Sequence, residues 1–178
     1  MRFEKTTLSG VYVIEPELLS DERGFFARSF CQKEFEAAGL EHNFVQSSIS
    51  FNSKARTLRG MHFQNAPHEE IKLVRCTAGA IYDVVVDLRE SSSTYKHWLA
   101  VELSASNRKA LYIPRGFAHG FETLLDNSEV LYYISDYFIP ESAAGIHYAD
   151  PAVGISWPHP PEVISERDLA LGSLKTSN

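Results

Sequence analysis

The sequence predicts an all-β fold, an antiparallel sandwich or barrel. Short apolar runs follow one another from Val11 to Ile134 with turn signals between them. Aromatic residues make up 12% of the chain, eleven Phe and eight Tyr among them, and these types favour strands over helices. Only one segment carries a good helical pattern with a stop signal.

Val11-Tyr12-Val13-Ile14 reads as the first strand and ends at Pro16. Phe25 to Phe30 alternates poorly, but its aromatics mark a second. The helix starts near Gln32 and runs through Phe35-Glu36-Ala37-Ala38 to Gly39, a residue suited to stopping it. Ile71 to Cys76 and Ile81 to Leu88 flank Ala78-Gly79 and read as a hairpin. Trp98–Leu103, Ala110–Ile113, Gly120–Leu124 and Val130–Ile134 follow at short intervals. Pro151 to Pro161 holds four prolines and reads as an ordered, extended crossing, and Gly172 to Asn178 as a frayed end. With no repeat, low-complexity tract or linker, residues 1–178 are expected to form one domain with a core over about 10–170.

Composition narrows the function. The formal charge of −6 argues against a nucleic-acid binder, which needs a positive surface. Cys31 and Cys76 make no disulfide framework and no CxxC pair, as expected of reduced thiols. The start, Met1-Arg2-Phe3-Glu4-Lys5, lacks the apolar stretch of a signal peptide, and no apolar run has membrane-spanning length; a cytoplasmic protein is expected. There is no GxGxxG, no phosphate-cradling P-loop and no GxSxG elbow. His68-Glu69-Glu70 starts like a zincin motif, but no histidine follows where one is required.

Two segments are dense in chemistry. Arg56-Thr57-Leu58-Arg59-Gly60-Met61-His62-Phe63-Gln64 sets two arginines and a histidine about a glycine. Ile113-Pro114-Arg115-Gly116-Phe117-Ala118-His119-Gly120-Phe121 contains P-x-G-x-x-H, the second half-motif of the cupin barrel. Paired with the upstream G-x-H in an all-β chain, it resembles a cupin-type jelly-roll barrel, here with short flanking helices. Metal cupins offer an H-x-H pair, a glutamate and the later histidine. His62-Phe63-Gln64 lacks the second histidine, and His68 and Glu69 do not sit at the expected spacing, so no metal is expected.

The chain resembles the dTDP-4-dehydrorhamnose 3,5-epimerase family. The matching residues run in order from about 10 to 170: Asp21–Phe26, Leu58–Gln64, Lys72–Cys76, Tyr82–Arg89, Val101–Ala105, Ile113–Phe121, Leu131-Tyr132, Asp136-Tyr137, Gly154–Pro158 and Ser165–Asp168. The resemblance implies inversion of C3 and C5 of a nucleotide-linked 4-keto-6-deoxyhexose. Such chemistry removes a carbon-bound proton beside the ketone, holds the enolate, and returns a proton to the opposite face. The substrate's own carbonyl is the electron sink, so no cofactor is expected.

Within that chemistry His62 is the natural base, since an imidazole titrates near neutral pH. The resemblance places at Asp168 the carboxylate that orients it, with Asp83 as the runner-up and otherwise expected in the cavity wall as a substrate contact. Tyr132 matches the acid; its neighbour Tyr133 points to the other side of the strand, so only one lines the pocket. An ordinary buried tyrosine is the alternative for Tyr132. Lys72 matches a stabiliser of the enolate oxygen, and His119 assists there or contacts the sugar. Arg23 and Arg59 match diphosphate ligands, while Phe26 and Gln46 are expected near the nucleotide. Arg56, Arg75, Arg89 and Arg115 read as surface charge.

There are departures from the family pattern. Arg28 and Ala143 stand where glutamates are usual, Gln46-Ser47-Ser48-Ile49-Ser50 replaces Gln-Asp-Asn-(His/Tyr)-Ser, and Tyr133 replaces a lysine. These leave the proton-transfer residues intact and bear on the nucleotide and on regiospecificity. A single-position epimerase or ketoisomerase on another nucleotide sugar is the alternative; a non-catalytic sugar-binding cupin would have lost His62, Tyr132 or Asp168, and none is lost. The resemblance further implies a homodimer exchanging N-terminal strands, for which Val11 to Ile14 is a candidate, and a place in deoxysugar supply for a surface polysaccharide.

Overall fold

The computed structural model describes residues 1–174. Its two short helices are α1 (Gln32–Ala37) and α2 (Glu166–Leu169), and strands dominate the rest, as the sequence predicts. The first sheet has the order β1 (Arg2–Lys5), β2 (Tyr12–Glu15), β10 (Ala110–Ile113), β7 (Lys72–Ala78), β12 (Ser128–Ile134), β5 (Gln46–Asn52). The second has the order β13 (Ala143–Gly145), β6 (Thr57–Gln64), β11 (Phe117–Thr123), β8 (Ala80–Asp87), β9 (Trp98–Ser104), with β14 (Val163–Ile164) pairing in parallel to β6. A separate hairpin joins β3 (Leu18–Asp21) to β4 (Gly24–Ala27).

Alternating residues of the two sheets interleave to make the main core. Val13, Val74, Leu111 and Val130 from the first sheet meet Ile81, Val85, Leu103 and Phe121 from the second. The outer face of the first sheet is covered by α1. Phe35 of that helix is wholly buried, with ring centroids 5.0 Å from Phe30 and 5.3 Å from Phe3. The outer face of the second sheet, with Met61, Val84, Val86 and Ala118, lies under Val153, Ile155 and Trp157 of the proline-rich crossing. Among the described residues no helix is long and apolar enough to cross a membrane.

Four expectations need correction. Lys72–Ala78 and Ala80–Asp87 do not form a hairpin, since β7 pairs with β10 and β12 in one sheet and β8 with β9 and β11 in the other. Gly79, at φ +71°, turns the chain between sheets, and a Cβ there would meet the Ser128 hydroxyl at 2.3 Å. The strand expected over Phe25 to Phe30 spans only Gly24–Ala27, because Phe30 leaves the hairpin to pack on Phe35 and Phe44. Val11 to Ile14 is no free strand for exchange, since β2 is held between β1 and β10. Of the end expected to fray, Gly172 accepts from the His147 N–H at 2.9 Å and Leu174 donates to Asp150; residues 175–178 lie outside the described part.

Candidate active site

A cavity opens between the sheets in two adjoining lobes of about 380 and 200 Å³, which share His62, Lys72, Ile134 and Arg167. The larger lobe adds Arg59, His119, Tyr132 and Asp168, and the smaller adds Gln46, Gln64, Glu70 and Phe138. Strict alternation along β6 would send Arg59 and His62 to opposite faces. Both reach the cavity because β6 holds one residue more than β11 between matched pairs: His62 lies opposite His119, but Arg59, not Gly60, lies opposite Phe121. Gly60 sits in this irregularity at φ +124°, where a Cβ would lie only 2.6 Å from the Gly120 Cα. The intervening Met61 turns outward into the other core.

On this wall His62 Nε2 donates to Asp168 Oδ1 at 2.7 Å. Asp168 is 4% exposed, and its other oxygen accepts from the Gly60 N–H at 3.1 Å. It stands on α2, where Ser165 caps the helix by accepting from the Asp168 N–H at 3.1 Å. A carboxylate only accepts, so Nε2 of His62 carries the proton and Nδ1 is left as the basic nitrogen. Burial pushes the His62 pKa below its ordinary 6.5; the Asp168 hydrogen bond and charge oppose this, while Lys72 and Arg167 add to it. The imidazole is therefore neutral, and able to take a proton, at neutral pH.

Tyr132 enters from the opposite sheet, on β12, while Tyr133 turns outward to stack on Phe30 with centroids 6.1 Å apart. Burial and the nearby Asp83 charge push the Tyr132 phenol well above its usual pKa, so it keeps its proton. Lys72, on β7 of the same sheet, donates to the His62 carbonyl at 3.3 Å and pairs with Glu70 at 2.9 Å. Arg59 is held by the Asn52 side chain at 2.6 Å, and Gln46 accepts from the Phe138 N–H at 2.9 Å.

The structure thus brings together His62, Asp168, Tyr132, Lys72, Arg59, His119 and Gln46. Asp83 corrects two expectations: it is neither the partner of His62 nor a cavity-wall residue. It is fully buried behind His119, accepting from Nε2 at 2.7 Å, because its inward position on β8 lies beside β11. Arg23 and Phe26 are also apart from the cavity in this chain. Arg23 pairs with Asp21 on the exposed hairpin, and Phe26 is 70% exposed there. Of the arginines read as surface charge, Arg56, Arg89 and Arg115 pair with Glu162, Asp87 and Glu41. Arg75 differs, its Nε buried without a partner. Sequence reasoning missed Glu70 and Arg167. The Glu70-x-Lys72 spacing, which places both on one face of an extended segment, was the signal for the first; Arg167 had none beyond its place beside Asp168.

Comparison with known proteins identifies the family. The model of the dTDP-4-dehydrorhamnose 3,5-epimerase family matches residues 5–176. The enzyme of that name from Salmonella typhimurium is 46% identical over 155 residues, covering 86% of this chain and 84% of its own. The crystal structure of the Bacillus anthracis enzyme with TDP and PPi bound superposes with a TM-score of 0.95 at 39% identity, covering 97% of this chain and 99% of its own. The Legionella pneumophila structure in complex with dTDP-4-keto-L-rhamnose gives 0.91 at 40% identity, covering 97% and 92%. A match of this extent, in sequence and in backbone alike, makes the chain a member of the dTDP-4-dehydrorhamnose 3,5-epimerase family.

Proposed function

We propose that the chain is an isomerase that inverts C3 and C5 of dTDP-4-dehydro-6-deoxyglucose, giving dTDP-4-dehydrorhamnose. The observation that carries this reading is a histidine–carboxylate pair on one wall of the cavity and a protonated phenol on the other. Nδ1 of His62 takes the proton from the carbon beside the C4 ketone, and Asp168 stabilises the resulting imidazolium. The carbon–hydrogen electron pair moves onto the C4 oxygen, where the Lys72 ammonium meets the developing negative charge with His119 beside it. Tyr132 then donates to the opposite face of the carbon, and the carbonyl re-forms. Arg59 and Gln46 lie toward the nucleotide in this reading.

Arg23 and Phe26 fit the same reading if a second copy of the chain brings its hairpin to the cavity, in a homodimer. Supporting this are the 65% exposure of Leu19 and 70% of Phe26 on the hairpin, and the 65% exposure of Ile49 on β5, a sheet edge. In place of the exchanged Val11–Ile14 strand, β3 and β4 are then the segment that crosses. The chain is read as one epimerase domain acting in the cytoplasm. The test is incubation with dTDP-4-keto-6-deoxyglucose in deuterated water, followed by NMR. Solvent deuterium at both C3 and C5 supports the reading, label at one position selects a mono-epimerase, and exchange that survives His62→Ala overturns the mechanism.

A further inference from the structure

Lys72 is a point charge on a flexible four-carbon stem and has no directional preference of its own. Two contacts fix its ammonium: the His62 carbonyl at 3.3 Å and Glu70 Oε1 at 2.9 Å. The Glu70 side chain is only 7% exposed, and its second oxygen, Oε2, is buried with no hydrogen-bond partner. Glu70 nevertheless borders the smaller lobe, beside Gln46 and Gln64. A buried carboxylate oxygen left without a donor is costly, and in a cavity wall the bound molecule is the group that can supply one.

We propose that Glu70 is a positioning residue for Lys72, one oxygen holding the ammonium while the other accepts a hydrogen bond from a hydroxyl of the bound sugar. This rests on the epimerase reading above. Glu70 links the sugar's hydroxyl to the lysine that faces its ketone, and the His62 carbonyl ties that lysine to the strand bearing the base. The electrostatic stabiliser and the base are thereby held in one register, and filling the hydroxyl's place completes the network.

The test is Glu70→Gln, which keeps the shape and an acceptor for Lys72 but removes the charge, measured in wild-type and Lys72→Met backgrounds. Expected for Glu70→Gln are a kcat about tenfold lower and a raised KM for the sugar nucleotide, with dTDP affinity by calorimetry and the thermal midpoint unchanged. In the Lys72→Met background the same change costs under about twofold in kcat, since nothing remains to be positioned. A wild-type kcat and KM in Glu70→Gln overturns the assignment alone. So does an equal loss in both backgrounds, or a loss of dTDP affinity parallel to KM. Absence of exchange in the wild-type protein overturns the epimerase reading and this assignment with it.

Discussion

Asp168→Asn removes a charge while preserving shape, and the surrounding hydrogen bonds dictate its consequence. The Gly60 N–H still needs an acceptor where Oδ2 stood, so the Asn amide oxygen settles there. The amide NH2 then faces His62 Nε2, which must accept, and the ring proton moves to Nδ1. The free nitrogen facing the cavity is no longer a base. Loss of the charged partner alone costs ~1.5–3 kcal/mol, roughly 10- to 150-fold in rate. With the wrong tautomer added, kcat is expected to fall about 10³–10⁴-fold. The pH profile gives an independent sign. The neutral imidazole is the active form, so activity is present above the His62 pKa and lost as pH falls through it. Burial places that acid limb below the ordinary 6.5, and Asp168 is the group that raises it. Removing the charge therefore moves the limb further toward acid. The assay is deuterium incorporation from solvent measured by NMR across pH, with the thermal midpoint as a control for folding. A kcat within about tenfold of wild type, or an acid limb displaced to higher pH, refutes the pairing as the source of basicity.

Three further outcomes follow from the same geometry. Tyr132→Phe keeps the ring but removes the proton donor, so net epimerisation should fall about 10²–10⁴-fold while dTDP affinity is retained; kinetics alongside calorimetry check this. Gly60→Ala adds a Cβ 2.6 Å from the Gly120 Cα at φ +124° and should cost at least about 2 kcal/mol, a drop of roughly 4–8 °C in the thermal midpoint; an unchanged midpoint refutes the close approach of β6 and β11. If the hairpin serves the cavity of a second copy, mixing inactive Arg23→Ala and His62→Ala dimers under exchanging conditions restores activity, because one site in the mixed dimer is intact. No recovery, with subunit exchange shown by mass spectrometry, refutes the crossing.

The strand runs, α1 with its Gly39 stop, and the opposite facing of Tyr132 and Tyr133 were legible in the sequence, because each depends on local periodicity and chain stereochemistry; that Tyr132 is the inward one came from the resemblance. His62 and His119 were legible through their motifs, and Lys72 and Arg59 through the resemblance. Some partnerships were not. Asp168 stands 106 positions after His62, and residue spacing says nothing of a contact that distant; the resemblance carried that pairing. Asp83, the runner-up partner for His62, meets His119 instead, because strand neighbours, not residue types, decided that it lies beside β11. The apparent hairpin about Gly79 dissolved for the same reason: two adjacent runs each found other partners, in different sheets. The sequence by itself determined which reactive side chains are available to the cavity and which face of most strands they occupy. Only the tertiary structure decided which groups meet, through the irregularity in β6 that turns Arg59 and His62 to one side and the pairing of sheets that sets Tyr132 across from them. Periodicity is a property of one strand, whereas a site between two sheets is fixed by their register and packing.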